Sequence, residues 1–263
     1  MEDITVRSVD GVRLDTALHP ASSSTGRGVV LLVHGITVDM DEGGGMFIRL
    51  AEQLDVAGFN VVRFSFRGHG NSGGTPRGVT VAGECLDLQA AVEAVRERFP
   101  GPLSIVAASF GAVSTTLSLP WLESTLHRLV LWNPVLDLRR TFVEPELAWG
   151  KENFGPQQQK DLAEHGWLVV DGQFELGRVL FYEFAHYRPL DLFLESTVPS
   201  LIVHGDRDSA VSYDIAAGAA RSRQNTTLHT VFGSDHGFDS RRREDEAITT
   251  TVEWLVDQSA SES

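Results

Sequence analysis

The chain has 263 residues, 42% of them hydrophobic, a formal net charge of −14 at neutral pH and a single cysteine. That length supports one α/β domain with a full core, and the acidity argues against nucleic acid, whose phosphates need clustered positive charge. One cysteine cannot form an internal disulfide, no apolar run reaches the length of a membrane span, and the opening Met1-Glu2-Asp3-Ile4 lacks a signal core; a cytoplasmic, membrane-free protein is expected.

Residues 4–9 and 12–18 flank Asp10-Gly11 and read as an opening hairpin. The apolar strand Val29–Val33 leads into His34-Gly35-Ile36-Thr37. In the loop that follows, Asp39-Met40-Asp41-Glu42-Gly43 resembles the start of a calcium loop, but Leu50 stands where the closing glutamate belongs, so an exposed acidic loop near the site entrance is expected. The strand Asn60–Phe66 runs into Arg67-Gly68-His69-Gly70-Asn71-Ser72-Gly73. This is a literal G-x-G-x-x-G, yet Gly74-Thr75-Pro76 follows where a helix should begin, so no dinucleotide site is expected. Val81, Cys85, Leu88, Val92, Val95 and Phe99 then fall on one helical stripe, with Cys85 as a small core residue.

The strand Leu103–Ala107 feeds Ala107-Ala108-Ser109-Phe110-Gly111. A serine with tiny residues at minus two and plus two, between strand and helix, is the pattern of a nucleophile elbow, whose tight turn exposes the hydroxyl at the carboxyl edge of a sheet. Further strands are predicted at Arg128–Trp132, Leu201–Val203 and Leu228–Val231, and a closing helix buries Ile248, Val252 and Leu255. Alternating β and α segments with near-continuous apolar strands imply a mostly parallel central sheet with helices on both faces.

Between Val135 and Val198 the rhythm breaks. Of the 14 Phe, five Trp and three Tyr, ten fall in this interval. Asp171-Gly172 marks a hairpin within Trp167–Leu176, and a helical run spans Arg178–Tyr187. The reading is a core domain of residues 1–134 and 199–263 with an independently packed lid of residues 135–198. Its aromatic residues in part pack the lid and in part line an apolar acyl or aryl pocket, rimmed by Asp39, Asp41 and Glu42.

The strand carrying Ser109 is followed by one ending at Asp206 and Asp208, and then by one ending at His236. A hydroxyl is a poor nucleophile at neutral pH, so a histidine must take its proton and a carboxylate must fix the histidine's tautomer. Ser, Asp, His at the ends of three separate strands, in that order, is the chain order that one hydrolase architecture uses. Ser109 is the candidate nucleophile and His236 the candidate base; Asp206 and Asp208 both stand in the acid loop. By mechanism one oxyanion donor is the residue after the nucleophile, Phe110.

These motifs resemble the α/β-hydrolase superfamily over almost the whole chain. Within it, His34-Gly35-Ile36-Thr37 and a compact lid resemble bacterial cinnamoyl/feruloyl esterases and serine-aminopeptidase-like hydrolases. The resemblance implies the α/β-hydrolase fold with a small lid inserted after the sixth strand. It assigns the acid to Asp208 through Gly205-x-x-Asp208-x-x-Val211, leaving Asp206 to bond the loop backbone, and the second oxyanion donor to Ile36. His34, His69 and His204 serve their loops rather than proton transfer. The expected function is hydrolysis of a small-molecule carboxylic ester with a hydrophobic or aryl acyl group, needing neither metal nor organic cofactor. The alternatives are a thioesterase, a peptidase or amidase with Glu144, Glu146 or Glu183 receiving a substrate amine, and a non-catalytic small-molecule-binding protein. A docking patch for carrier proteins is confined to Arg139-Arg140 and Arg241–Arg243. The position of a phenol-contacting tyrosine falls near Phe181-Tyr182.

Overall fold

The computed structural model describes residues 6–22 and 26–257. In chain order the strands are β1 (Val6–Arg7), β2 (Arg13–Leu14), β3 (Thr16–His19), β4 (Val29–Val33), β5 (Asn60–Phe64), β6 (Leu103–Ala108), β7 (Leu126–Trp132), β8 (Trp167–Val170), β9 (Phe174–Gly177), β10 (Ser200–Gly205) and β11 (Thr226–Val231). The α-helices are α1 (Met46–Val56), α2 (Val81–Arg98), α3 (Gly111–Leu117), α4 (Leu119–Leu122), α5 (Ala148–Phe154), α6 (Pro156–His165), α7 (Arg178–Glu183), α8 (Pro189–Glu195), α9 (Tyr213–Ser222) and α10 (Arg241–Val256). None of the described helices is long and apolar enough to cross a membrane.

Seven strands form one sheet in the order β11-β10-β7-β6-β4-β5-β3, parallel throughout except for β3 at one edge. Every residue of β4, β6 and β10 is buried, because helices cover both faces. Leu88, Val92 and Val95 of α2, Ala112 of α3 and Phe193 of α8 pack on one face; Phe47, Leu50 and Leu54 of α1 and Ile248 and Leu255 of α10 pack on the other. From β4 the chain moves outward to β5, then returns to β6 on β4's other side and builds away from it. The direction of winding therefore reverses between β4 and β6, and a crevice opens outside their carboxyl ends, where open α/β sheets bind ligands. The Ile36 loop follows β4 and Ser109 follows β6.

Two local expectations change. The second arm of the opening hairpin is two strands: Arg13–Leu14 pairs with Val6–Arg7, while Thr16–His19 pairs antiparallel with β5. Asp15 breaks the run, its amide bonded to Ser72 Oγ and its carbonyl to the Ser65 amide; residues 4 and 5 lie outside the described residues. The interval from 135 to 198 still follows the expected strand ending at Trp132, which the split of the second arm renumbers as β7. On α2, Cys85 and Phe99 are only half-buried, whereas Glu84 and Asp87 are buried. Asp87 turns inward because Arg67 meets it there, with a guanidinium nitrogen 2.8 Å from its carboxylate.

Residues 135–198 contain a short π-helical turn, Arg139–Val143, together with α5–α8 and the β8–β9 hairpin. Val170 pairs with Phe174, so the hairpin loop is Asp171-Gly172-Gln173, with positive φ at Asp171 (51°) and Gly172 (73°). The helical run after it stops at Glu183, short of Tyr187. The segment is not independently packed. Phe142, Phe154, Leu168, Leu176 and Phe184 share one core with Phe110 and Val113, just after Ser109, and with Ala210 and Val211 of the acid loop. Each such buried aromatic side chain contributes about 1.5–3 kcal/mol, so the insertion and the loops around Ser109 hold each other. At the hairpin's far end a Cβ on Gly177 would lie 2.0 Å from the Arg77 carbonyl oxygen, which only a glycine permits.

Candidate active site

Ser109 immediately follows the last residue of β6, with only Phe110 between it and the first residue of α3, and its φ is 48°. A non-glycine residue there costs about 1–2 kcal/mol, and the surroundings enforce it. Its amide donates to the Trp132 carbonyl (2.8 Å), and its own carbonyl accepts from the Val135 amide (3.0 Å). Close packing explains the small neighbours: a Cβ on Gly111 would sit 2.4 Å from the His34 carbonyl oxygen, and one on Gly35 would sit 3.1 Å from Ser109 Cβ. Ala107 is fully buried on β6.

The structure brings Ser109, His236 and Asp208 together. Ser109 Oγ is 3.0 Å from His236 Nε2, and His236 Nδ1 is 2.8 Å from Asp208 Oδ2. The other oxygen, Oδ1, accepts from the amides of Ala210 (2.9 Å) and Val211 (2.7 Å), so the backbone aims the carboxylate. Burial opposes the charge on Asp208, but His236 and His204 outweigh it and hold the carboxyl below its ordinary range. An ionised carboxylate only accepts, so Nδ1 of neutral His236 carries the proton and its Nε2 lone pair faces the Ser109 hydroxyl. Burial pushes His236 down, yet the charges of Asp208, Glu42 and Asp235 raise its pKa overall. Asp206 takes no part in this line; its carboxylate accepts from the exposed Gly233 amide at 2.5 Å.

Asp235 was not singled out from the sequence, although it immediately precedes His236. Its Oδ1 accepts from the His236 amide (2.7 Å), the Ser209 amide (2.7 Å) and Ser209 Oγ (2.8 Å), tying the base loop to the acid loop. On the other side of Ser109, Thr37 has φ at 68° and Glu42 at 58°, both rare for residues with a full side chain. Glu42 Oε2 accepts from the Gly35 amide at 2.8 Å. Burial raises the Glu42 pKa against the bonds from Gly35 and Gly43. Among the described residues, neither the Ile36 nor the Phe110 amide has an acceptor within the chain.

A cavity of about 390 Å³ opens over Ser109 and His236. Ile36, Val135, Phe142, Trp149 and Val211 supply apolar wall; Glu42, Asp171, Asp235 and Asp239 are its acids, and no Lys or Arg lines it. The expected acidic rim is thus corrected. Asp41 is held in an ion pair with Arg63, Asp39 caps the Asp41 amide, and Glu42 faces inward. Phe181 and Tyr182 line a different cavity, of about 460 Å³, with Leu162 and Phe184.

His34 and His69 serve their loops. His34 Nε2 accepts from the Phe66 amide (2.9 Å), so its Nδ1 donates to the Gly35 carbonyl (2.6 Å). His69 contacts the Arg67 carbonyl and stacks on Phe174 of the hairpin at 4.7 Å. Burial keeps both neutral, with His34 well below its usual value and His69 pushed down to about 4. Burial also lifts the Cys85 thiol to about 12, which leaves it inert.

Comparison with known proteins gives the same architecture. The profile of the serine aminopeptidase S33 family matches residues 24–165, just over half the chain, a stretch that includes Ile36 and Ser109. No curated protein sequence matches significantly. Among solved structures, Est1E from Butyrivibrio proteoclasticus with ferulic acid bound superposes with a TM-score of 0.81 at 21% identity, covering 97% of this chain and 99% of that one. Alpha/beta hydrolase domain-containing protein 10 from mouse gives 0.75 at 16% identity, covering 96% and 97%. An esterase from Pyrococcus furiosus gives 0.71 at 20% identity, covering 97% and 90%.

Proposed function

The chain belongs to the serine aminopeptidase S33 family of α/β hydrolases, and from that premise we propose that it is a serine hydrolase of carboxylic esters with hydrophobic or aryl acyl groups. The observation that carries this reading is the hydrogen-bonded line from Ser109 through His236 to Asp208 at the floor of a largely apolar cavity. His236 takes the Ser109 proton as Oγ attacks the ester carbonyl. The amides of Ile36 and Phe110 hold the oxyanion, a pair in which each donor is worth about 10²–10³ in rate. His236 then protonates the leaving alcohol, and a water activated by the same nitrogen releases the acid.

The lid acids that a peptidase reading would use do not line this cavity and have other partners. Glu144 pairs with Arg139 at 2.5 Å, Glu146 with Arg140 at 2.6 Å, and Glu183 accepts from the Val81 amide at 2.6 Å. Labelling with a fluorophosphonate probe tests for an activated serine: wild type should react and Ser109→Ala should not. A panel of aryl, short-chain and medium-chain esters with matched thioesters and amino-acid amides tests the substrate class. Faster turnover of the amides than of the esters would overturn the ester reading, and absence of labelling would leave only a binding role.

A further inference from the structure

The loop that carries Ile36 is held by a carboxylate on each side, and the two come from different parts of the fold. Glu42, in the loop before α1, accepts the Gly35 amide at 2.8 Å. Asp171, at the tip of the β8–β9 hairpin and far along the chain, accepts from Thr37 Oγ1 at 3.2 Å. Ile36 lies between them. Thr37 is β-branched yet sits at φ 68°, a conformation that persists only where neighbours over-determine it. The contact from Asp171 is one such constraint.

Asp171 is itself aimed. Its second oxygen accepts from Trp149 Nε1 at 2.8 Å. The Trp149 amide donates to the Ser209 carbonyl (3.2 Å), and Ser209 Oγ donates to Asp235 (2.8 Å), which takes the His236 amide (2.7 Å). A continuous polar chain therefore runs around the cavity from Thr37 through Asp171, Trp149, Ser209 and Asp235 to His236. The hairpin is seated independently of this chain, by Phe174 on His69 (4.7 Å) and by Arg77, which meets Glu175 at 2.8 Å and covers the Trp167 ring. Asp171 thus reaches Thr37 from a hairpin that is also anchored on the core domain at His69 and Arg77.

We propose that Asp171 is a positioning residue for the reaction, holding the Thr37 side of the Ile36 loop so that the Ile36 amide points at the developing oxyanion. The insertion then does more than shape the pocket: its hairpin tip completes the geometry of the reacting centre. This inference rests on the esterase reading and carries a specific expectation. Small and large esters depend on Asp171 alike, because the oxyanion is common to all of them. The loss falls on kcat rather than KM, because the amide acts on the tetrahedral state and not on the acyl group.

The experiment compares wild type with Asp171→Gly, Asp171→Asn, Thr37→Val, Thr37→Ser and the Asp171→Gly/Thr37→Val double variant on an activated acetate and an activated aryl propanoate. Glycine keeps the positive φ of the turn while removing the carboxylate. Asparagine also tolerates that φ, can accept from Trp149 with its oxygen and can donate to the Thr37 hydroxyl, so it should rescue. We expect Asp171→Gly to lower kcat by roughly 10-fold or more on both esters with KM within about three-fold, part of the effect of losing an oxyanion donor. Thr37→Val should share that loss, Thr37→Ser should escape it, and the double variant should be no worse than Asp171→Gly. The Ki of a trifluoromethyl ketone, a tetrahedral mimic, should rise in step with the fall in kcat/KM. A merely structural role would lower thermal stability without that parallel. Unchanged kcat in folded Asp171→Gly, or in Thr37→Val should the former not fold, overturns the proposal. Wild type inactive on both esters overturns the esterase reading instead.

Discussion

His204 and His236 meet on a single oxygen: Asp208 Oδ2 lies 3.1 Å from His204 Nε2 and 2.8 Å from His236 Nδ1. His204 Nε2 also faces the Val211 carbonyl at 3.3 Å, and two acceptors fix its proton on that nitrogen. The carboxylate therefore divides its charge between two rings. Glu42 and Asp235 are the other charges that raise His236, and Tyr213 packs edge-on against His204. In His204→Phe the aromatic packing can persist but the donor is lost, leaving Asp208 to stabilise the His236 imidazolium alone. The acid limb of kcat/KM should move to higher pH, whereas His204→Gln, which keeps a donor, should leave it closer to wild type. A limb at the same pH in His204→Phe would show that the two bonds act separately.

The pH profile of the wild type has a definite sign. His236 must be neutral to accept the Ser109 proton, and its pKa is raised despite burial. kcat/KM should therefore rise with pH through a midpoint above the ordinary histidine value of about 6.5. Asp208→Asn removes the main raising charge, so the midpoint should fall while kcat drops by about 10⁴. Asp206→Asn, which touches only the Gly233 loop, should leave both nearly unchanged. The reverse ranking in the two pH–rate profiles would transfer the acid role to Asp206.

Ser109→Ala and His236→Ala should each lower kcat on an activated ester by roughly 10⁴ or more. Neither side chain is needed for packing, so circular dichroism and thermal melts should stay near wild type. Substantial activity in either folded variant would sink the mechanism.

Selectivity should follow the cavity wall. Its acids are Glu42, Asp171, Asp235 and Asp239, with no cationic side chain among the lining residues. An ester bearing a carboxylate on its acyl group should be turned over at least about 10-fold less efficiently than its neutral analogue, since no cation offsets the repulsion. Phe142→Ala should lower kcat/KM for aryl and long acyl esters more than for acetate, by about 1–3 kcal/mol in the difference. An unchanged ester ranking in that variant would move acyl recognition away from Phe142.

The seat of the hairpin can be tested apart from its tip. In Gly177→Ala the new methyl would meet the Arg77 carbonyl at 2.0 Å, and backbone cannot yield as a side chain can. We expect a loss of about 1–3 kcal/mol, as for overpacking elsewhere, together with faster proteolytic cleavage between residues 166 and 178. Cleavage at the wild-type rate would show that the hairpin accommodates the methyl by a local shift.

Much of this was legible in the sequence because parallel strands buried on both faces leave near-continuous apolar runs, as in Val29–Val33 and Leu103–Ala108. The elbow was legible because close packing keeps the residues two before and two after Ser109 small, as at Gly111. What stayed hidden depended on tertiary contacts. Asp171 reads as a turn residue, and only the folded chain brings it to Thr37 and Trp149. Glu42 reads as a solvated acid, and only its bond to the Gly35 amide turns it inward. The insertion's aromatic residues suggested a separate cover, but periodicity cannot reveal that Phe142 and Phe154 share a core with Phe110 and Val211. Asp15 splits a run that alternation alone would have kept whole.

The positive φ of Ser109 sets two selective pressures against each other at one position. Ser109→Gly would release about 1 kcal/mol or more of backbone strain, while abolishing the hydroxyl that the site is built around. Lineages screened only for survival at high temperature would drift toward glycine here, and lineages screened for turnover would not. The residue at this position in a collection of heat-selected variants is therefore a record of whether catalysis was under selection while they arose.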